Sequence, residues 1–257
     1  MNDVLLTHYE NRVLTITMNR PERRNALNMK LYSRMAETID SAQRNDEIRV
    51  ILITGSSRCF TSGNDLEDFV ENPPTENGSS PVAHFMKALV ECPKPVVASV
   101  QGSAVGIGVT MLLHCDLVYV GDSSKFQLPF VNLGLCPEFS SSLILPQLVG
   151  HPKASELLML GEPFDGATAV NFGIANQVVS DDKLMELVKT KCSRLVRQPP
   201  SAIRATKKLL RDNQRDMVER VMNKEMMQFG QGLRSAEFNE AVTAFFEKRS
   251  SDFSNFS

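Results

Sequence analysis

The chain has 257 residues, 42% of them hydrophobic and 23% charged, a composition that folds around an apolar core and excludes disordered, collagen-like and fibrous proteins. Its formal charge of −2 gives no whole-chain attraction to nucleic acid or to an anionic membrane. The balance is uneven, because residues 194–257 carry 12 basic and 8 acidic side chains and leave the remainder net acidic. In chain order, the runs Val4–Tyr9 and Val13–Met18 flank Glu10-Asn11-Arg12 and predict a β-hairpin. After Pro21 and Asn25, Leu27, Leu31, Met35 and Ile39 recur at helical spacing out to about Arg44. Val50–Thr54 is a β-rich run that stops at Gly55. The stretch Glu71–Pro81 is dense in Pro, Gly, Ser and Asn and is expected to be a mobile loop. A short helix over Val82–Glu91, a buried-type strand at Val96–Val100, a helical stretch from Gly106 to His114 and a strand at Leu117–Val120 follow. Strands alternating with helices predict an α/β protein with parallel strands. Beyond Gly161 a single β signal remains, Gln177–Val179, and helical patterns run from Asp182 to Arg249 with a break at Pro199-Pro200. The apolar positions of that C-terminal part exceed what an isolated helical pair needs, so some are expected to cover another subunit or a ligand.

Five cysteines are widely spaced, without a CxxC pair, which fits reduced thiols in a cytosol-like compartment. The first residues do not make a signal peptide, no segment approaches a membrane span, and the last residues are not an SKL-type address. A soluble cytoplasmic protein without membrane or nucleic-acid partners is the expectation. The four histidines have no metal-ligand spacing, so no metal site is expected.

Three segments have the make-up of reactive structure. Cys59-Phe60-Thr61-Ser62-Gly63-Asn64-Asp65-Leu66 follows a buried strand, and Gly63 lets the chain bend so that backbone N–H groups turn outward, although a plain turn reads the same way. Gly102-Ser103-Ala104-Val105-Gly106-Ile107-Gly108 leads from a strand into a helix, whose N-terminus offers free N–H groups to an anion. It has neither the dinucleotide-binding nor the Walker A order, and close helix–sheet packing also calls for such glycines. In Leu135-Cys136-Pro137-Glu138-Phe139-Ser140-Ser141-Ser142 one carboxylate lies between apolar residues and a helix start. Desolvation there raises its pKa as general acid/base work requires, while a helix-start role needs no chemistry at all.

Together with NRPERRNALN (19–28), PKPVVASVQGSAVGIGVTMLLHCDL (93–117), FQLPFVNLGLCPE (126–138) and TAFFEKR (243–249), these segments resemble the crotonase, or enoyl-CoA hydratase/isomerase, superfamily in family order over most of the chain. The resemblance implies a crotonase-like ββα superhelix over residues 1–195 and a C-terminal helical trimerisation region over 196–257, in a homotrimer or hexamer. It implies an acyl-CoA thioester as substrate, with coenzyme A part of the substrate and no separate cofactor. Two backbone N–H groups, placed by motif on Ser62 and Ile107, are expected to hold the thioester oxyanion. Arg24, Asn64, Asp65 and Leu66 are expected to bind CoA, and Phe245 and Lys248 to reach a neighbouring subunit's ligand. The loop 71–81 with Phe85, Met86, Met111, Phe130 and Leu135 is a candidate lining of the acyl pocket, ordinary core packing being an equally good account. Hydratases of the family use two glutamates, and the matching positions here hold Thr110 and Phe130. Glu138 instead matches the single glutamate of Δ3,Δ2-enoyl-CoA isomerases, so the expectation is an isomerase with Glu138 as its acid/base. Alternatives are a hydratase or other acyl-CoA reaction, and a non-catalytic acyl-CoA-binding or interaction protein.

Overall fold

The protein is described as a computed structural model covering residues 3–56, 58–72 and 80–256. Strands β1 (Leu5–Glu10) and β2 (Val13–Met18) pair antiparallel as the predicted hairpin. Helix α1 (Met29–Arg44) begins at Asn28, whose side chain accepts the Leu31 N–H, and buries Leu31, Tyr32, Met35, Ala36 and Ile39. Leu27, read as its first turn, lies before it in an extended bridge with Asn64. Then come β3 (Val50–Gly55), α2 (Leu66–Glu71), α3 (Pro81–Glu91) and β4 (Val96–Val100). Of the expected mobile loop, residues 73–79 lie outside the described residues; at its edges Glu71 closes α2 and Ser80 caps α3.

The middle of the chain adds β5 (Ser103–Val105), α4 (Ile107–Thr110, continued by a 3₁₀ turn to His114), β6 (Leu117–Gly121), β7 (Lys125–Gln127), α5 (Ser141–Val149), α6 (His151–Leu160), β8 (Phe164–Asp165), α7 (Gly166–Asn171) and β9 (Gln177–Val179). All described elements after β9 are helices: α8 (Asp181–Arg197), α9 (Pro200–Asp212), α10 (Arg215–Gly232) and α11 (Ala236–Glu247).

Two sheets organise these elements. The larger has the order β1-β2-β3-β4-β6-β9, with every pair after the hairpin parallel. Alternation along its strands serves both faces: Ile51 and Ile53 join the main core beneath α1, while Val50 and Leu52 meet Leu184, Val188 and Cys192 of α8. The smaller sheet, β5-β7-β8, is extended by single bridges that pair Thr61 with Ala104 and Leu27 with Asn64. Successive turns of chain thus lay one strand in the large sheet, a short stretch in the small one, and then a helix. The small sheet was not foreseen, because strands of two or three residues show no periodicity.

Candidate active site

The turn after β3 is fixed by residues 24–27. Arg24 and Asn25 are left-handed, with φ of 51° and 56°, and the fully buried Asn25 amide donates to the carbonyls of Ser56 (3.0 Å) and Cys59 (2.7 Å). Thr61 Oγ1 donates to the Asn25 carbonyl (2.7 Å) and accepts the Gly63 N–H (3.1 Å), while Leu27 N–H donates to Gly63 and Asp65 N–H to Leu27. Gly63 sits at φ 92°, and a Cβ there would come within 3.0 Å of the Val105 carbonyl oxygen. Thr61 also pairs with β5, so this turn lies against the loop that opens α4.

These bonds decide which backbone donors remain. The N–H of Ser62 is spent on the Arg24 carbonyl at 3.0 Å, which corrects its assignment as an oxyanion donor. Among the described residues the Asn64 N–H has no such partner, and neither does the N–H of Ile107, the first residue of α4 after Gly106 at φ 54°. The free backbone donors at these two turns therefore include Asn64 and Ile107.

Arg24, Ser62, Asn64, Asp65, Leu66, Phe130, Leu135 and Phe245 line one cavity of about 590 Å³. Arg23, Lys125 and Asn132 also border it. The Asp65 carboxylate is taken by Arg20 in a buried ion pair at 2.8 Å, so its side chain holds the turn in place and is not free for a ligand. The Asn64 side chain accepts a very short hydrogen bond from Tyr32 Oη. Lys248 caps the end of α11, exposed and off the cavity wall, while Phe245 borders the cavity of its own chain. Phe85, Met86 and Met111 are core residues, with Phe85 packed on Tyr32 and Phe139. Of the basic residues of the C-terminal helices, Lys207 and Arg211 pair with Asp116 and Arg249 with Glu240. The basic groups on the cavity wall come instead from the N-terminal two thirds.

Glu138 lies behind this wall, 3% exposed, next to Thr110 of α4. Burial, reinforced by the nearby charge of Glu225, pushes its carboxyl up to about 8, against a smaller opposite pull from the Thr110 hydroxyl. Among the described residues Glu138 Oε1 and Thr110 Oγ1 are buried without a hydrogen-bond partner, so both are available to a reacting group. Thr110 follows Ile107 by three residues, so Glu138 packs against the helix whose first residue carries one of the free N–H groups. Glu225, on α10, was not singled out from the sequence; it accepts from the turn after Glu138, 83 to 85 residues away in the chain.

A spiral of ββα turns around a cavity bordered by Asn64 and Gly106 defines a class of thioester-processing proteins. The chain belongs to that class: residues 8–255 match the enoyl-CoA hydratase/isomerase family, and the crotonase-like superhelix expected from the sequence is the fold. Among solved structures, Pseudomonas aeruginosa OdaA is 47% identical with a TM-score of 0.93, over 95% of this chain and 99% of that one. The 1,2-epoxyphenylacetyl-CoA isomerase of Escherichia coli (strain K12) is 33% identical over 98% of this chain and 99% of its own. Enoyl-CoA delta isomerase 2 of Homo sapiens is 31% identical over 96% of this chain, which spans 64% of that longer protein. The protein is thus an enzyme of the hydratase/isomerase family that handles acyl-CoA thioesters.

Proposed function

We propose that the reaction is Δ3,Δ2-enoyl-CoA isomerisation, with Glu138 as the single acid/base. One observation carries the reading: Glu138 is a buried carboxyl of raised proton affinity with an unpartnered oxygen, whereas the two positions matching hydratase glutamates hold Thr110 and Phe130. Relatives named enoyl-CoA delta isomerase support it. In its ionised form Glu138 takes a proton from C2 of a 3-enoyl thioester. The dienolate charge gathers on the thioester oxygen, where the N–H groups of Asn64 and Ile107 receive it, and such a donor is worth about 3 kcal/mol of barrier. Glu138 then returns the proton to C4, and the double bond moves into conjugation. Arg23, Arg24 and Lys125 supply positive charge for the CoA phosphates, and Phe245 an apolar wall. The enzyme works as a homotrimer or hexamer, in which exposed Leu209, Leu210 and Met227 are covered by a second copy and Lys248 faces that copy's ligand.

The test supplies 3-hexenoyl-CoA and 2-hexenoyl-CoA separately and follows conjugated-enoyl absorbance. Absorbance is expected to rise with the first and hold with the second, and Glu138→Gln to slow the rise by about 10²–10⁴-fold. Unchanged turnover in that variant rejects Glu138 as the acid/base, and hydration of 2-hexenoyl-CoA at a comparable rate restores a hydratase. Since the base must be ionised, kcat/KM is expected to rise with pH through an apparent pKa near 8 and to fall away below it.

A further inference from the structure

Glu138 and Glu225 are both buried where the spiral meets α10, and their surroundings differ sharply. Glu225 accepts hydrogen bonds from the N–H groups of Ser140 and Ser142 and from the Ser142 hydroxyl, all in the turn that follows Glu138. Glu138 Oε1 has no partner among the described residues. The turn itself needs holding, because Phe139 and Ser140 both take φ of 57°, an uncommon conformation for residues with a side chain. Besides Glu225, Ser140 Oγ donates to the Val218 carbonyl of α10 (2.7 Å), and the Phe139 carbonyl bonds His114 Nε2 (2.8 Å).

We propose that Glu225 is a positioning residue for Glu138: it clamps the left-handed turn that aims the catalytic carboxyl and places a fixed negative charge beside it. The inference rests on the reading of Glu138 as the acid/base. The other titratable groups around the pair are Tyr32 of α1, Cys136 on the same segment and His114 after α4. Burial pushes the Tyr32 phenol well above its ordinary range and the Cys136 thiol up to about 11, and it pushes His114 down to about 4. All three are uncharged near neutrality. Arg211 of α9 bonds the His114 carbonyl and Asp116 Oδ1, and so spends its charge on that pair. Of two neighbouring buried acids, the one with more hydrogen-bond donors holds the charge and the other the proton. Glu225 is the first and Glu138 the second: burial raises the proton affinity of both, but at Glu225 the Ser142 and Ser140 donors pull the other way.

The experiment records kcat and KM for 3-hexenoyl-CoA against pH in the full-length wild type, Glu225→Gln, Glu225→Asp and Glu138→Gln. Glu225→Gln removes the charge and one acceptor; its acid limb is expected to move down by roughly one pH unit. Its plateau kcat should fall by about 10-fold to 100-fold, as for a misplaced group, with KM little changed. Glu225→Asp keeps the charge on a shorter arm, so its kcat falls while the limb stays near the wild-type position. A folded Glu225→Gln variant with an unmoved limb overturns the proposal, as does an equal movement in both variants. Should Glu225→Gln not fold, ¹³C-carboxyl NMR of the wild type decides: Glu225 is expected to lose its proton at lower pH than Glu138, and the reverse order overturns the proposal. An active Glu138→Gln enzyme defeats the functional reading itself, whereas an inactive one with an unmoved Glu225→Gln limb defeats only the role of Glu225.

Discussion

Glu138 keeps its proton over a range in which an exposed glutamate has lost it, and this has a cost in stability. Between its ordinary pKa of 4.5 and the folded value of about 8, the folded state binds more protons than the unfolded chain. The contribution is therefore complete below the lower value and is lost as pH rises through the upper one, on the order of a few kcal/mol. Denaturant titrations at pH 5 and pH 8 are expected to show this decline in the wild type and a shallower one in Glu138→Gln, which should be the more stable protein at pH 8. A decline of equal size in the variant places its origin elsewhere. At this scale the sequence was legible where a motif is local: Pro137-Glu138 marks its own carboxylate. It was not legible where a distant partner decides. The CFTSGNDL turn is visible, but which of its N–H groups is free depends on the Arg24 carbonyl, which claims Ser62 and leaves Asn64. Glu225 reads as one more acid on a charged helix until α10 meets the Ser140 turn.

Helix α4 places its donor by position alone. Ile107 is its first residue, where an α-helix needs no N–H and where proline fits the backbone. Ile107→Pro therefore removes the donor with little disturbance of the helix, and kcat is expected to fall by about 10²–10³-fold, the usual effect of losing one oxyanion donor. Ile107→Ala, which keeps the N–H, should lose far less; equal losses in the two variants point to packing of the buried Ile107 side chain. β2 and α1, with alternating and helical-period faces, were readable from spacing, and β1 and β4 from their β-rich runs. The second sheet was not, and neither was the break between α9 and α10 at Asn213-Gln214, which contains no proline or glycine.

Across the whole molecule, α9 is attached by charge more than by apolar contact. Its only buried residue is Lys207, which donates to Asp116 Oδ2 and to the Lys94 carbonyl, while Leu209 and Leu210 are 72% and 77% exposed. Asp116 also accepts the Val96 N–H and Arg211, so one carboxylate joins α9 to the start of β4. Asp116→Ala leaves a mostly buried ammonium uncompensated and is expected to destabilise the fold by about 3–5 kcal/mol, measured by urea denaturation. A loss below about 1 kcal/mol would be that of a surface pair and would remove the ion pair as the anchor of α9.

The left-handed turn at Phe139 and Ser140 has a temporal consequence. Besides the bond of Phe139 to His114, its hold comes from Glu225 and Val218, which leave the ribosome after every described strand of both sheets has been made. A nascent chain that has completed its strands but not α10 already has the Asn64 turn and the Ile107 helix start, yet lacks the grip that aims Glu138. On the proposed roles of Glu138 and Glu225, catalytic competence is deferred to the last quarter of synthesis, and activity is expected to report that α10 has docked.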